Sequence, residues 1–301
     1  MRVPTSTVSD NVAMQLQTLL SRETQLQSEV TSGQRITDPS DDPAAMSRVL
    51  GLEAQKQQIQ QFSRNVGRAT EISQTSFSGL SGLKTISDRA GELGVLGSGT
   101  ASPASYTAYA AELNQLIEQA VQQANTRTGS DYVFGGTKTD APPFEATRDA
   151  SGNVTSVTYV GAATGAQVQT SEGAPISPFT SGATNQQLGG FINNLVALRD
   201  ALTNQDPVAV QAAATTLHGS EDDLLVAISG VGAVQTRLEA DTAQNSSRFL
   251  DLGNLISQDA DADLAQTIVK FQKAQNAYQA ALQSGAQVMH LSLLDYLPQT
   301  L

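Results

Sequence analysis

Residues 264–289 read LAQTIVKFQKAQNAYQAALQSGAQVM, and within them Leu264, Ile268, Phe271, Tyr278, Leu282 and Met289 step by threes, fours and sevens, continued by Leu293. That spacing belongs to a narrow helical seam more than to the wide apolar face of a globular helix. Residues 12–30, VAMQLQTLLSRETQLQSEV, carry a second seam in Val12, Leu16, Leu19, Leu26 and Val30. Chain ends are ordinarily frayed and polar. Two ends that each carry a seam are predicted to pair with one another, with neighbouring copies, or with both.

The composition suits thin helical packing. Only 5% of the 301 residues are aromatic and none is Trp, so large core-filling side chains are scarce. A formal charge of −12 weighs against nucleic acid, because no basic stripe is present to displace counterions from phosphates. Self-association then has to work against like charge. With no Cys, disulfides, thiolate metal sites and cysteine nucleophiles are excluded. No apolar run near the start resembles a signal peptide and none anywhere reaches membrane-spanning length, so neither is expected.

Working inward from the ends, Thr7 and Asp10 have the spacing of a helix-start box, and Gly33 is a plausible terminator. The Pro- and Asp-rich stretch 35–43 reads as a connector, and Asp42-Pro43 as a strong restart. Ile59, Phe62, Val66, Ala69, Leu80, Leu83 and Ala90 then keep a heptad-like step, weakened in the middle by Ser73 and Ser76. A helix from 43 to about 96 would be roughly 80 Å long. Ser102-Pro103 opens another, with Tyr106, Leu113, Ile117 and Ala124 on one face.

After Gly129 the periodicity changes. Thr155, Val157 and Tyr159 alternate, and Asp149-Ala150-Ser151-Gly152-Asn153 reads as a hairpin turn within a small β-rich insertion; a disordered polar loop is the alternative. Helical period returns with Leu188, Phe191, Leu195 and Leu202, and restarts after Asp206-Pro207 as one very long helix or two joined near Gly230 and Gly232. Asp259, Asp261 and Asp263 mark a joint predicted to lie opposite the 35–43 connector.

The expected fold is mainly α: a long coiled-coil-like helical hairpin or bundle with a small β-rich insertion domain and paired terminal helices. The boundaries are 1–42 for an N-terminal assembly helix and connector, 43–129 for the first half of a helical rod, 130–185 for the insertion, 186–258 for the second half and 259–301 for a C-terminal assembly helix. The insertion is expected to lie far from the paired ends and offers no seam to share, so deleting about 145–182 is expected to leave assembly through the chain ends intact.

Chemistry is thin along this chain. His218 and His290 stand far apart with no ligand-spaced partner, and the 259–263 acids lack the Gly and closing Glu of a calcium loop. Glu221-Asp222-Asp223 suits the first turn of a helix, where carboxylates meet the positive dipole end. Gly135-Gly136 has neither a phosphate-loop Lys nor a dinucleotide pattern. No catalytic, cofactor or metal residue is expected.

Gly33-Gln34-Arg35-Ile36 followed by Asp38-Pro39-Ser40-Asp41-Asp42-Pro43-Ala44-Ala45 resembles the N-terminal signature of the flagellin superfamily. Pro43, the stretch Tyr132-Val133-Phe134-Gly135-Gly136-Thr137 with Phe144, and the closing Asp295-Tyr296-Leu297 resemble its hook-filament junction branch; the tail Pro298–Leu301 departs from the usual ending. The resemblance implies a non-catalytic structural subunit of the bacterial flagellum without cofactor, exported by the type III apparatus with a chaperone. It also implies a ring of copies touching the other junction protein and flagellin or hook protein. A short filament flagellin is the nearest alternative. A carbohydrate-binding or hydrolytic insertion is a remote one, because between 130 and 185 the acids are few and no Trp is present to stack a sugar.

Overall fold

The computed structural model describes residues 5–99, 101–173 and 175–294, with side chains described over 10–99, 101–173 and 175–287. Among the described residues six helices and four short strands follow in order: α1 (Thr5–Ser32), α2 (Pro43–Ser98), α3 (Pro103–Ala124), β1 (Arg127–Thr128), β2 (Asp131–Tyr132), β3 (Phe144–Arg148), β4 (Val154–Tyr159), α4 (Gly182–Thr203), α5 (Pro207–Ala260) and α6 (Leu264–Leu294). The protein is mainly α, with two small antiparallel sheets, β1-β2 and β3-β4. No described helix is long and apolar enough to cross a membrane. The chain divides into two compact units, one within Met1–Gln57 and Phe249–Leu301, the other Gln58–Arg248.

Helix starts follow their capping chemistry. Asp42 Oδ1 accepts the Ala45 N–H at 3.0 Å, Ser102 Oγ accepts that of Ser105 at 3.2 Å, and Asp206 Oδ1 accepts those of Val208 and Ala209 at 3.0 and 3.1 Å. Three of these starts place Pro at the first helical position, where its missing N–H costs nothing. Thr7, by contrast, is already inside α1, which is helical from Thr5, so it is not the cap. α5 runs unbroken through Gly230 and Gly232. Glu221, Asp222 and Asp223 therefore sit mid-helix, not in a first turn: Glu221 pairs with Lys84 at 2.8 Å and Asp223 accepts from Gln187 at 3.1 Å.

The core of the larger unit joins α2, α3, α4 and α5 through fully buried Leu80, Leu83, Leu113, Ile117, Leu188, Ile192, Leu195 and Leu224. α2 and α5 run antiparallel there, Gly94 facing Ala214 and Gly97 facing Leu202 and Val210 so closely that a Cβ at 97 would lie 2.4 Å from Leu202. Ser73 and Ser76 are both buried. Ser76 donates to the Ile72 carbonyl at 2.9 Å, whereas the Ser73 hydroxyl has no partner among the described residues.

The insertion is not a separate appendage. Phe144, Val154 and Val157 from the β3-β4 hairpin are buried in the same core as the helices. Asn193 of α4 reads β4 like a strand, accepting from Val157 N–H at 2.8 Å and donating to its carbonyl at 2.9 Å. The hairpin turns at Asp149, whose carboxylate accepts the N–H groups of Ser151 and Asn153. Its carboxyl is held below the usual range, first by the Asn153 side-chain amide and then by that residue's N–H. Removing the hairpin would therefore uncover part of the helical core.

Candidate assembly surface

In the smaller unit α1 and α6 pack antiparallel. Val12 meets Gly285 at one end, and the Gly33 carbonyl accepts the Ala262 N–H at 2.9 Å at the other. A Cβ at position 285 would lie 2.9 Å from Val12 Cγ1, so glycine permits the close approach there. On α1 the covered line contains Val12, Leu16, Leu19, Leu26 and Val30, of which Leu26 is the most buried. On α6 the most buried residues are Thr267, Ala274 and Gly285, with Phe271, Tyr278 and Ala281 half-buried.

This divides the C-terminal stripe. At about 100° per residue, Leu264, Ile268 and Leu282 lie roughly 60–120° around α6 from the Thr267–Ala274–Gly285 line. They stay 47%, 42% and 43% exposed. Phe271 and Tyr278 form the border between the covered and uncovered halves. Met289 and Leu293 lie outside the described side chains. The small residues Thr267, Ala274, Ala281 and Gly285 are absent from the seam read in the sequence, although their spacing of seven, seven and four was a usable signal. Charge supports the pairing: α6 carries Lys270 and Lys273 and no acid, and α1 carries Asp10, Glu23 and Glu29 against one Arg22.

The signature residues of the connector fasten this pair to the end of α5. Gly33 ends α1 with φ +73°, its N–H donating to Glu29 O at 2.9 Å, a left-handed stop suited to glycine. The chain then reaches the last carbonyls of α5, which have no helical donors of their own. Arg35 Nη2 donates to Asp259 O at 2.7 Å, and the N–H groups of Arg35 and Ile36 donate to Ala260 O at 2.7 and 3.4 Å. A guanidinium at the negative end of a helix dipole is favourably placed. Ile36 is buried beside it.

Asp41 closes the connector turn by accepting the N–H groups of Thr37 and Asp38 at 3.1 and 3.0 Å. The Asp38 N–H, then that of Thr37, holds the Asp41 carboxyl below the usual carboxylate range. Ser40 is exposed on that turn, and Asp42-Pro43 starts α2. Arg48 of α2 grips Asp259 with two bonds of 3.0 Å, which lowers the Asp259 pKa and raises that of Arg48. Asp263 accepts from Gln266 N–H at 3.1 Å at the start of α6. The three acids at 259–263 are thus structural, and no group of His, Asp or Glu among the described residues is arranged to hold a metal.

The second signature builds a turn in the larger unit. Phe134 is fully buried, and its carbonyl accepts from Asn185 Nδ2 at 2.8 Å and Tyr159 OH at 3.2 Å. Gly136 has φ +68°, and a Cβ there would lie under 3 Å from the Ala162 and Thr164 carbonyls. Tyr132 N–H donates to Thr139 O at 2.9 Å across the turn, while Thr137 is exposed on it. Tyr132 also stacks under Arg127 at 4.8 Å.

Residues 3–139 match the bacterial flagellin N-terminal helical region. A search of curated proteins gives no match. Among solved structures, one from Vibrio parahaemolyticus described as a flagellar hook-associated protein aligns with TM-score 0.65 at 18% identity, over 73% of this chain and 100% of that one. Bacillus cereus FlgL aligns with TM-score 0.59 at 20% identity, over 69% and 99%. The flagellar junction protein FlgL of Legionella pneumophila aligns with TM-score 0.51 at 13% identity, over 71% and 100%. Over residues 3–139 the chain is thus similar to the bacterial flagellin N-terminal helical region, and its fold is similar to those of the hook-associated protein and FlgL structures.

Proposed function

We propose that this chain is a structural subunit of the bacterial flagellum that joins hook to filament, exported by the type III apparatus and assembled through its terminal helices. The observation that carries the reading is the divided face of α6. One half is occupied by α1, and the other presents Leu264, Ile268 and Leu282 to solvent on a helix without acidic residues. Full burial of an aliphatic side chain is worth about 1.5–3 kcal/mol, so covering the exposed remainder of these three contributes about 3 kcal/mol per subunit. Repeated around a ring, that works against the self-repulsion of an acidic chain. The occupant is a neighbouring copy, with the other junction protein and flagellin or hook protein at the two ends of the ring. Export with a chaperone agrees with the family resemblance, and catalysis has no part in this function.

The test is localisation. An epitope-tagged copy expressed in place of the native protein is imaged by immunogold on detached flagella. A single band at the hook tip supports the junction, and label along the whole filament identifies a filament flagellin instead.

A further inference from the structure

Besides the main core, the larger unit has a second, separate apolar cluster: Val66 and Ala69 of α2, Leu238 and Val234 of α5, and Ile176 from the loop between β4 and α4. Two helices alone make a marginal pair, because each can cover only one side of the other. Here the loop supplies the third side. It is pinched into a narrow strap by reciprocal bonds between Val168 and Ile176, at 2.8 and 3.0 Å.

The strap is tied to both helices. From α2, Asn65 Nδ2 donates to Gln169 O at 2.8 Å. From α5, Asp241 accepts the Thr170 hydroxyl at 2.5 Å, Asn245 Nδ2 donates to Thr170 O at 2.9 Å, and Arg248 pairs with Glu172 at 2.8 Å. Thr170 and Asn245 are buried and Asp241 is nearly so. Two polar side chains one turn apart in an otherwise apolar seam cost stability unless each finds its partner. Both find it on this one loop residue.

We propose that residues 168–172 together with Ile176 form a latch that keeps this stretch of α2 and α5 closed, and that its release opens the stretch as a local unit independent of the four-helix core. The latch has an apolar tooth, Ile176, and a polar catch, Thr170 with Asp241 and Asn245. When the catch is broken, Ile176 leaves together with the hydrogen bonds, and the Val66–Ala69 and Val234–Leu238 faces lose their third wall. The four-helix core keeps its own contacts through Leu83, Leu113, Leu195 and their neighbours.

Hydrogen exchange of the full chain tests this with three variants. Thr170→Val is isosteric and removes only the catch hydroxyl, Asn245→Ala removes the second bond, and Asp241→Asn keeps an acceptor for Thr170. The first two are expected to speed exchange about tenfold, the effect of leaving one buried hydrogen bond unmade, in the loop and jointly in residues 62–70 and 234–245. Residues 106–121 and 188–202 keep wild-type rates, and Asp241→Asn stays near wild type everywhere. Acceleration confined to the loop itself shows a passive passenger and overturns the proposal. Acceleration spread evenly over all four helices, or loss of folding in Thr170→Val, shows that the loop belongs to the global core and overturns it equally.

Discussion

Replacing Leu282 by Asp separates the two halves of α6. In the free subunit Leu282 is 43% exposed and lies off the line that meets α1, so a polar replacement changes monomer stability by no more than about 0.5–1 kcal/mol. In the assembled state the same site loses about 1 kcal/mol of apolar burial, and an unpaired carboxylate is forced out of water at about 3–5 kcal/mol. A penalty of about 4 kcal/mol weakens each contact roughly a thousandfold. Purified Leu282→Asp is therefore expected to match wild type in circular dichroism and thermal melting. Cells carrying it export the protein but shed flagellin into the medium. Gln283→Asp adds the same charge away from the stripe and from α1, and is expected to keep filaments attached. If Leu282→Asp unfolds the monomer, or if both variants behave alike, the exposed half of α6 is not an assembly surface.

Other consequences are sharper on stability. Gly285→Val places a side chain where even a Cβ lies 2.9 Å from Val12, and is expected to raise exchange in α1 and α6 while leaving α3 and α4 unchanged. Ser73→Ala removes a buried hydroxyl without a partner, and is expected to stabilise the larger unit by about 1 kcal/mol, read as a shift in denaturant midpoint. Asp41 and Asp259 both have folded pKa values below their unfolded ones. Their contribution is fully present above the unfolded value of about 4 and is lost as pH falls through the folded ones. The connector is thus expected to loosen only below about pH 4, seen as faster exchange at Gly33–Ile36 that Asp259→Asn largely removes.

How much of this was legible in the sequence depended on range. Helix starts were readable because capping is local: Asp42, Ser102 and Asp206 act within three residues. The joint between the 35–43 connector and the 259–263 acids was readable from matching breaks in two long periodic runs. Glu221–Asp223 misled because carboxylates at a helix start and carboxylates in lateral pairs look identical until Lys84 and Gln187 are in view. The small-residue line of α6 was missed because Gly285 reads as a weak point in a helix rather than as a point of contact. The latch left no local trace, since Thr170 and Asp241 are 71 positions apart. The burial of Phe144, Val154 and Val157 against the helices was likewise invisible in an insertion whose composition is polar.

The most direct test of assembly through the chain ends uses the natural absence of cysteine. Ile268→Cys places one thiol on the exposed half of α6, and its maleimide labelling rate is measured in the free subunit and in intact flagella that have retained their filaments. The account predicts rapid labelling of the free subunit and protection of at least about tenfold in the assembled structure, with an exposed control such as Ser151→Cys labelled equally in both. Equal labelling of position 268 in the two states would contradict it.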